Sequence, residues 1–402
     1  MKRNHAVVSP QTIVTPKFYS DFRCIADKCE DNCCYGWKIN IDKPTYQFMT
    51  QKSIFRNEAK EIFVRTPGQK TYASIKLDEQ GFCSLRDENG LCRVHKEHGP
   101  DRLSIICRTY PRLTHVRGNQ IQRSLTLSCP EVARKVLLDP EAMQFEFATE
   151  LKKGYIAPTY NPPWYLDLIR DLFLQLLGDE SMSLDKRLFI IGMVLNRLES
   201  VEQDQEAQQA ALAQIIDEVV SGDIGIYFDT MPTTTGFNVD FILKSLNAQF
   251  AWSILRDKAQ THRRSEQLRE RIQNGVSDAG DDLALQALCL QTGLNTRYSA
   301  FMDKHPSVWA NFFVYQMYDT DFPSDTPATQ FRKILMDYVY LRGVLALIGA
   351  GKELGIDDMS LVFSTYYRSR QHGSRIDDIY QGLANKLEVN EAMLPLLLLK
   401  AV

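Results

Sequence analysis

A chain of 402 residues, 44% hydrophobic and 24% charged, has the make-up of an ordinary globular protein, with room for roughly two to four domains. Its formal net charge of −3 argues against a nucleic-acid partner, which would demand a basic patch. No apolar run reaches the ~18 residues of a membrane span. The opening residues Met1 to Pro10 also lack the apolar core of a secretory signal, so a cytoplasmic chain without a membrane partner is expected.

Residues 1 to about 150 are turn-rich and mixed in pattern. Tyr72 to Leu77 alternates polar and apolar side chains as a half-buried strand does. Asp87-Glu88-Asn89-Gly90 carries an Asn-Gly hairpin signal between Cys83 and Cys92. Gly118-Asn119 separates two further strand-like runs. Prolines and a glycine between Lys152 and Pro163 stop any helix. Helical periodicity then takes over. Tyr165, Leu168, Ile169, Leu172, Phe173 and Leu176 share one face, and Leu184 to Leu198 repeats the pattern.

Glu202 to Val220 predicts a more polar helix, and Gly222 to Gly236 an interruption. Helices resume from about Val239 to Ile272. There the basic run His262-Arg263-Arg264, with Arg269 and Arg271, reads as one solvated helix face. A break at Gln273 to Asp281 precedes helices at Trp309 to Tyr318, Gln330 to Ala350, Met359 to Gln371 and Arg375 to Leu387. The expected fold is mainly α: a small α+β cysteine-rich domain at 1–150, then helical domains at 160–275 and 282–402.

Eight of the nine cysteines lie within the first 129 residues, four of them in Cys24-x4-Cys29-x3-Cys33-Cys34. In a reducing compartment such clustering reads as metal ligation rather than disulfides. The paired C-x2-C knuckles of zinc sites are missing, although Cys92-Arg93-Val94-His95 keeps a mixed zinc site open. The radical S-adenosylmethionine signature C-x3-C-x2-C starts at Cys29 and Cys33 but meets Gly36 in its third place. A [4Fe-4S] cluster needs four thiolates. The candidate ligands are Cys24, Cys29, Cys33 and Cys107, with Cys34, Cys83 and Cys92 in reserve. Cys129 and Cys289 read as ordinary buried thiols. The glycine-rich Gly349 to Gly355 follows a helical pattern and reads as a helix end, not a cofactor loop.

The segment Phe18 to Cys24, continuing through Cys33-Cys34-Tyr35-Gly36-Trp37, resembles the opening of the flagellin lysine-N-methylase (FliB) family. Cys83-Ser84-Leu85, Gly90-Leu91-Cys92 and Cys107-Arg108-Thr109-Tyr110-Pro111 resemble the CxxCxxCC metal-binding class. Trp309 to Tyr315, the following Phe322-Pro323 and Tyr366 to His372 resemble later parts of that family, with Ala310 standing where an acidic residue is expected. The resemblance implies transfer of methyl groups from S-adenosyl-L-methionine to lysine side chains of flagellin. It also implies a structural [4Fe-4S] cluster in an N-terminal domain akin to SPASM/twitch domains, and a cofactor and substrate site within 282–402. Asn311 and Tyr315 would orient the amine or contact the adenosine, Arg368 would bind the cofactor carboxylate, and His372 would accept a proton. The rival readings are a non-enzymatic zinc- or iron-binding interaction protein and a radical enzyme.

Overall fold

The computed structural model describes residues 8–31, 33–35, 39–67, 71–153, 164–201, 204–234, 238–245, 263–324, 326–370, 385 and 393–400. The first strand, β1 (Val8–Pro16), finds its partners far along the chain. Short strands β2 (Asn40–Ile41), β3 (Phe63–Arg65) and β4 (Ala73–Ile75) form one sheet in the order β2-β4-β3. The hairpin β5 (Arg112–Arg117) and β6 (Gln120–Leu125) turns at Gly118, where φ is +53°, as the Gly-Asn signal predicts. β6 lies parallel to β1, and β7 (Phe145–Lys153) runs antiparallel to β1 from Val8 opposite Lys153 to Pro16 opposite Phe145. The second sheet is thus β5-β6-β1-β7.

The helices of the first third are short: α1 (Lys17–Asp21), α2 (Lys43–Gln51), α3 (Ala59–Ile62), α4 (Arg93–His98), α5 (Ile105–Thr109) and α6 (Pro130–Leu138). Two cores result. Ile39, Ile41, Met49, Phe55, Ile62, Phe63, Ile75, Leu85 and Val94 enclose Cys83 in a small one. Phe18, Phe22, Leu125, Val132 and Val136 instead join the large helical core. The stretch expected as one domain, 1–150, therefore feeds both.

Longer helices follow: α7 (Leu166–Gly178), α8 (Leu184–Ser200), α9 (Gln205–Ser221), α10 (Asp223–Thr230), α11 (Arg263–Gly275), α12 (Leu283–Gly293), α13 (Ser299–Lys304), α14 (Ser307–Asp319), α15 (Pro327–Gly351), α16 (Ile356–Arg370) and α17 (Leu394–Leu399). Side chains of Ser183, Asp204 and Asp282 cap α8, α9 and α12 by accepting from free N–H groups of the first turns. The expected interruption after residue 222 holds α10 instead. Gly222, at φ +85°, ends α9 and at once starts a helix that buries Ile224 and Phe228.

α15 is long and apolar enough to cross a membrane, contrary to the sequence reading of its apolar runs. Yet 89% of its apolar stretch is buried inside the fold. It is the central strut of the large core, with residues from α7 to α17 in one cluster around it. The Gly349-Ala350-Gly351 segment completes its last turn, where Arg297 donates to the carbonyls of Gly349 (3.0 Å) and Ala350 (2.8 Å). It is a capped helix end, as expected.

The C-terminal end of α14 is fastened to the sheet. Asp319 accepts from Ser124 Oγ (2.6 Å) and faces His115 Nε2 (3.2 Å), while the Tyr318 hydroxyl donates to the Arg123 carbonyl (2.9 Å). The hydrogen bond to Asp319 raises the His115 pKa above the ordinary imidazole value, against the opposing effect of burial. A raised folded-state pKa makes the histidine's contribution complete below the unfolded value of about 6.5, and lost as pH climbs through the folded value. Unfolding midpoints should therefore decline above that pH in the wild type. The decline should flatten in His115→Gln; equal slopes would show that this pair contributes nothing.

Candidate functional site

All nine cysteines are free thiols. Five of the seven candidate ligands are brought together. The Cys83 N–H donates to the Cys34 carbonyl (2.8 Å), and bridges Leu77–Cys83 and Arg86–Cys92 fold the intervening loop back. The Asp87 carboxylate accepts from the N–H groups of Asn89 (3.0 Å) and Leu91 (2.9 Å), closing the turn that the Asn-Gly pair predicts. Cys92 is the residue before α4, and Cys107 lies within α5, its N–H directed at Ser104 Oγ. Cys34, Cys92 and Cys107 all pack on the small core that holds Cys83. Cys33 stands beside them, its sulfur accepting a hydrogen bond from the Cys34 thiol.

That hydrogen bond favours a thiolate on Cys33 over one on Cys34. A Cys34 hydrogen bond lowers the Cys33 pKa to about 7, while Cys34, bonded to Cys33 and buried, is pushed up. Burial raises Cys107 to about 11 and Cys83 to about 12, and raises Cys92 as well. Crowded, desolvated thiols resist losing several protons unless a cation compensates them, which is the donor chemistry of a thiophilic metal. Among the described residues no three cysteine, histidine or acid side chains stand in a ligating arrangement. The fit is thus one of donor type and convergence.

Cys24 and Cys29 lie on either side of the 3-10 turn Ala26–Lys28, outside the group packed on the small core. The acids that follow Cys29 anchor the cassette to the helical body. Arg134 of α6 forks onto Glu30 through two 2.7 Å bonds and donates to Ser360 Oγ of α16 (2.9 Å). Ser360 in turn donates to Glu30 (3.1 Å). Arg368, near the end of α16, pairs with Asp31 and reaches the Ser128 carbonyl (3.5 Å). Tyr110, its hydroxyl 3.3 Å from Ser128 Oγ, lies against Arg368 as well.

The basic run on α11 corrects the sequence reading. Arg263 and Arg269 are exposed, but Arg264 is buried with Nη2 3.8 Å from Glu30, and Arg271 pairs with Asp358. A charge run shows which side chains are cationic; it does not show that carboxylates from residue 30 and α16 wait on the other side.

The four residues assigned by resemblance fare differently. Asn311 is buried on α14 and donates to the carbonyls of Val136 (2.9 Å) and Asp139 (2.7 Å), capping the end of α6. The Tyr315 hydroxyl donates to the Leu125 carbonyl (3.0 Å), and burial holds its pKa well above the ordinary phenol value. Both polar groups thus hold α14 against α6 and β6. Arg368, expected on a cofactor carboxylate, spends its guanidinium on Asp31. His372 lies outside the described residues. Asn311→Ala should cost about 1–3 kcal/mol by leaving buried carbonyls unsatisfied. Asn311→Asp should cost at least as much, since a carboxylate cannot donate to them. Chemical denaturation reads both, and a neutral Asn311→Asp would show that the cap is not formed. Glu30, Asp31 and Arg134 were missed by sequence reasoning. The only signal was a pair of acids set between cysteines.

Residues 170–397, from within α7 to within α17, match the FliB lysine N-methylase C-terminal domain. The chain belongs to the FliB lysine N-methylase family. It is accordingly an enzyme of the protein-lysine methyltransferase class. The chain is 26% identical over 388 residues to a lysine-N-methylase of Salmonella choleraesuis strain SC-B67, covering 91% of this chain and 93% of that protein. A Salmonella typhimurium lysine-N-methylase is 25% identical over 386 residues, with the same coverage. The flagellar biosynthetic protein FliU of Salmonella muenchen is 38% identical over 136 residues, 33% of this chain and 80% of that protein. No solved structure matches the chain. The family domain takes in Arg264, Arg271, Asn311, Tyr315, Ser360 and Arg368, and begins after the eight N-terminal cysteines.

Proposed function

We propose that this FliB-family enzyme methylates lysine ε-amino groups of flagellin with S-adenosyl-L-methionine as donor, in the cytoplasm, and that its thiols hold a structural [4Fe-4S] cluster. The likeness to lysine-N-methylases over 91% of the chain carries the reaction. The flagellar name of the FliU relative supports the substrate. The convergence of Cys33, Cys34, Cys83, Cys92 and Cys107 supports the cluster, and four of these five are its proposed ligands. The donor supplies an electrophilic methyl carbon. The chain must deliver a lysine, of ordinary pKa ~10.4, in neutral form, which burial favours. It must also align the amine and keep water out. In this reading Arg368 is a positioning residue that locks the cysteine cassette to α16. His372, four residues further on, remains the proposed proton acceptor.

The test is anaerobic incubation of purified enzyme with methyl-labelled S-adenosylmethionine and flagellin, followed by mass mapping of lysines and analysis of the spent donor. Labelled lysine and S-adenosylhomocysteine are expected. Formation of 5′-deoxyadenosine, or unlabelled flagellin, would overturn the reaction. Purified protein without iron would overturn the cluster.

A further inference from the structure

The last strand of the four-stranded sheet stands at its edge. Among the described residues β7 pairs with β1 alone, and no further strand follows it. It is nine residues long, holds no proline and keeps an unbroken register with β1, whereas exposed edges are ordinarily short, kinked or interrupted by proline. Phe147 is 70% exposed and Leu151 is 73% exposed. Thr149 lies between them on the same face, and Phe145 continues that face onto Tyr318 of α14, with ring centroids 5.0 Å apart. The direction of the backbone groups follows from β1. The Thr12 N–H donates toward β6, to the Asn119 carbonyl (3.0 Å), and the Lys17 N–H donates to the Gln144 carbonyl (2.8 Å), just before β7. By alternation, Gln11 and Ile13 exchange hydrogen bonds with Glu150 and Ala148. Phe147, Thr149 and Leu151 therefore turn their N–H and C=O groups outward, away from β1.

We infer that β7 pairs antiparallel with β7 of a second copy of this chain, about a two-fold axis at Thr149, so that the two sheets become one. The order of residue types along the strand singles out that register. It sets Phe147 of each copy opposite Leu151 of the other, and Glu146 opposite Lys152. The outward groups of Phe147 then meet the outward groups of Leu151, and each such pair exchanges two hydrogen bonds. Moving the axis to Ala148 would set Glu146 against Glu150, and moving it to Glu150 would set Phe147 against Lys153. Apolar and opposite-charge pairs stabilise antiparallel strands, while like charges placed opposite destabilise them. Because one strand supplies both halves, every favourable pair occurs twice, as a closed two-fold contact requires.

The test is sedimentation velocity of the full-length protein over a range of concentrations, joined to hydrogen exchange of the peptide that carries β7. A monomer–dimer equilibrium is expected, with exchange in β7 slowing as the dimer fills. Phe147→Ser and Glu146→Lys, both at exposed positions where the fold is not at risk, should each weaken dimerisation by roughly tenfold, since each change acts twice across the axis. The double variant Glu146→Lys/Lys152→Glu should restore it, a recovery specific to the register about Thr149. A monomer at every concentration overturns the inference, as does a dimer indifferent to Phe147→Ser and to both charge variants. Exchange in β7 that slows only when flagellin is added to a monomer also overturns it, and would give the edge to the substrate instead. Dimerisation is read without methyl transfer or iron, so this inference and the proposed function fail separately.

Discussion

Arg368→Ala should destabilise the protein by about 3–5 kcal/mol, the usual cost of stranding one partner of a buried ion pair. The Asp31 carboxylate is 7% exposed and would be left without its guanidinium. Methyl transfer should fall with it, because the cassette would lose one of the two arginines that join it to α16. Arg368→Lys should recover only part of the loss, since an ammonium cannot reproduce a planar fork shared among Asp31, Tyr110 and Ser128. The contrast is Arg332→Ala, whose partner Glu199 is exposed (2.8 Å); such surface pairs contribute about 0–1 kcal/mol. Denaturant unfolding of both variants, with Asp31→Asn and the Asp31→Asn/Arg368→Ala double variant, isolates the coupling. Additive losses in that cycle would show that Arg368 and Asp31 do not act as a pair.

The second large effect is expected where two helices cross α15. A Cβ placed on Gly293 of α12 would lie 1.9 Å from the Ala346 carbonyl oxygen, and one on Gly275 of α11 would lie 1.9 Å from that of Leu347. Helix propensity alone favours alanine over glycine by about 1 kcal/mol. Overpacking opposes it with typically about 1–3 kcal/mol, and more where the obstructing atom is backbone that cannot rotate away. The steric effect should win, so Gly293→Ala and Gly275→Ala should each lower the unfolding midpoint by several degrees. Gly178→Ala, with nothing within 4 Å of the added methyl, should be neutral or slightly stabilising. A stabilised Gly293→Ala would mean that α12 does not approach α15 this closely.

Local features were readable wherever neighbouring residues suffice to specify them. The hairpin at Gly118-Asn119, the turn at Asp87 to Gly90 and the helices beginning near residues 166, 184, 307 and 327 follow from turn chemistry and from 3.6-residue periodicity. Cys33, Cys34, Cys83, Cys92 and Cys107 were all marked as candidate ligands, because thiol clustering is a property of composition. What the sequence left open was partner choice. Asn311 and Tyr315 share a helical face, as spacing requires, yet spacing is silent on whether that face meets a substrate or the carbonyls ending α6 and β6. Arg264 reads as a surface cation until Glu30 is brought to it across more than two hundred residues.

By itself, then, the sequence determined the kinds of element, the soft-donor character of the N-terminal third and, through likeness, a lysine N-methylase family. Only the tertiary structure decided that β1 pairs with β7, that Cys34, Cys83, Cys92 and Cys107 gather on one small core, and that Arg134 and Arg368 bind the cassette to the helical half. The reason is physical. Helix and turn formation depend on interactions a few residues long, which leave a periodic trace in the chain. Ion-pair partners and thiol neighbours are set by which apolar faces are buried together, and a linear pattern does not encode that pairing.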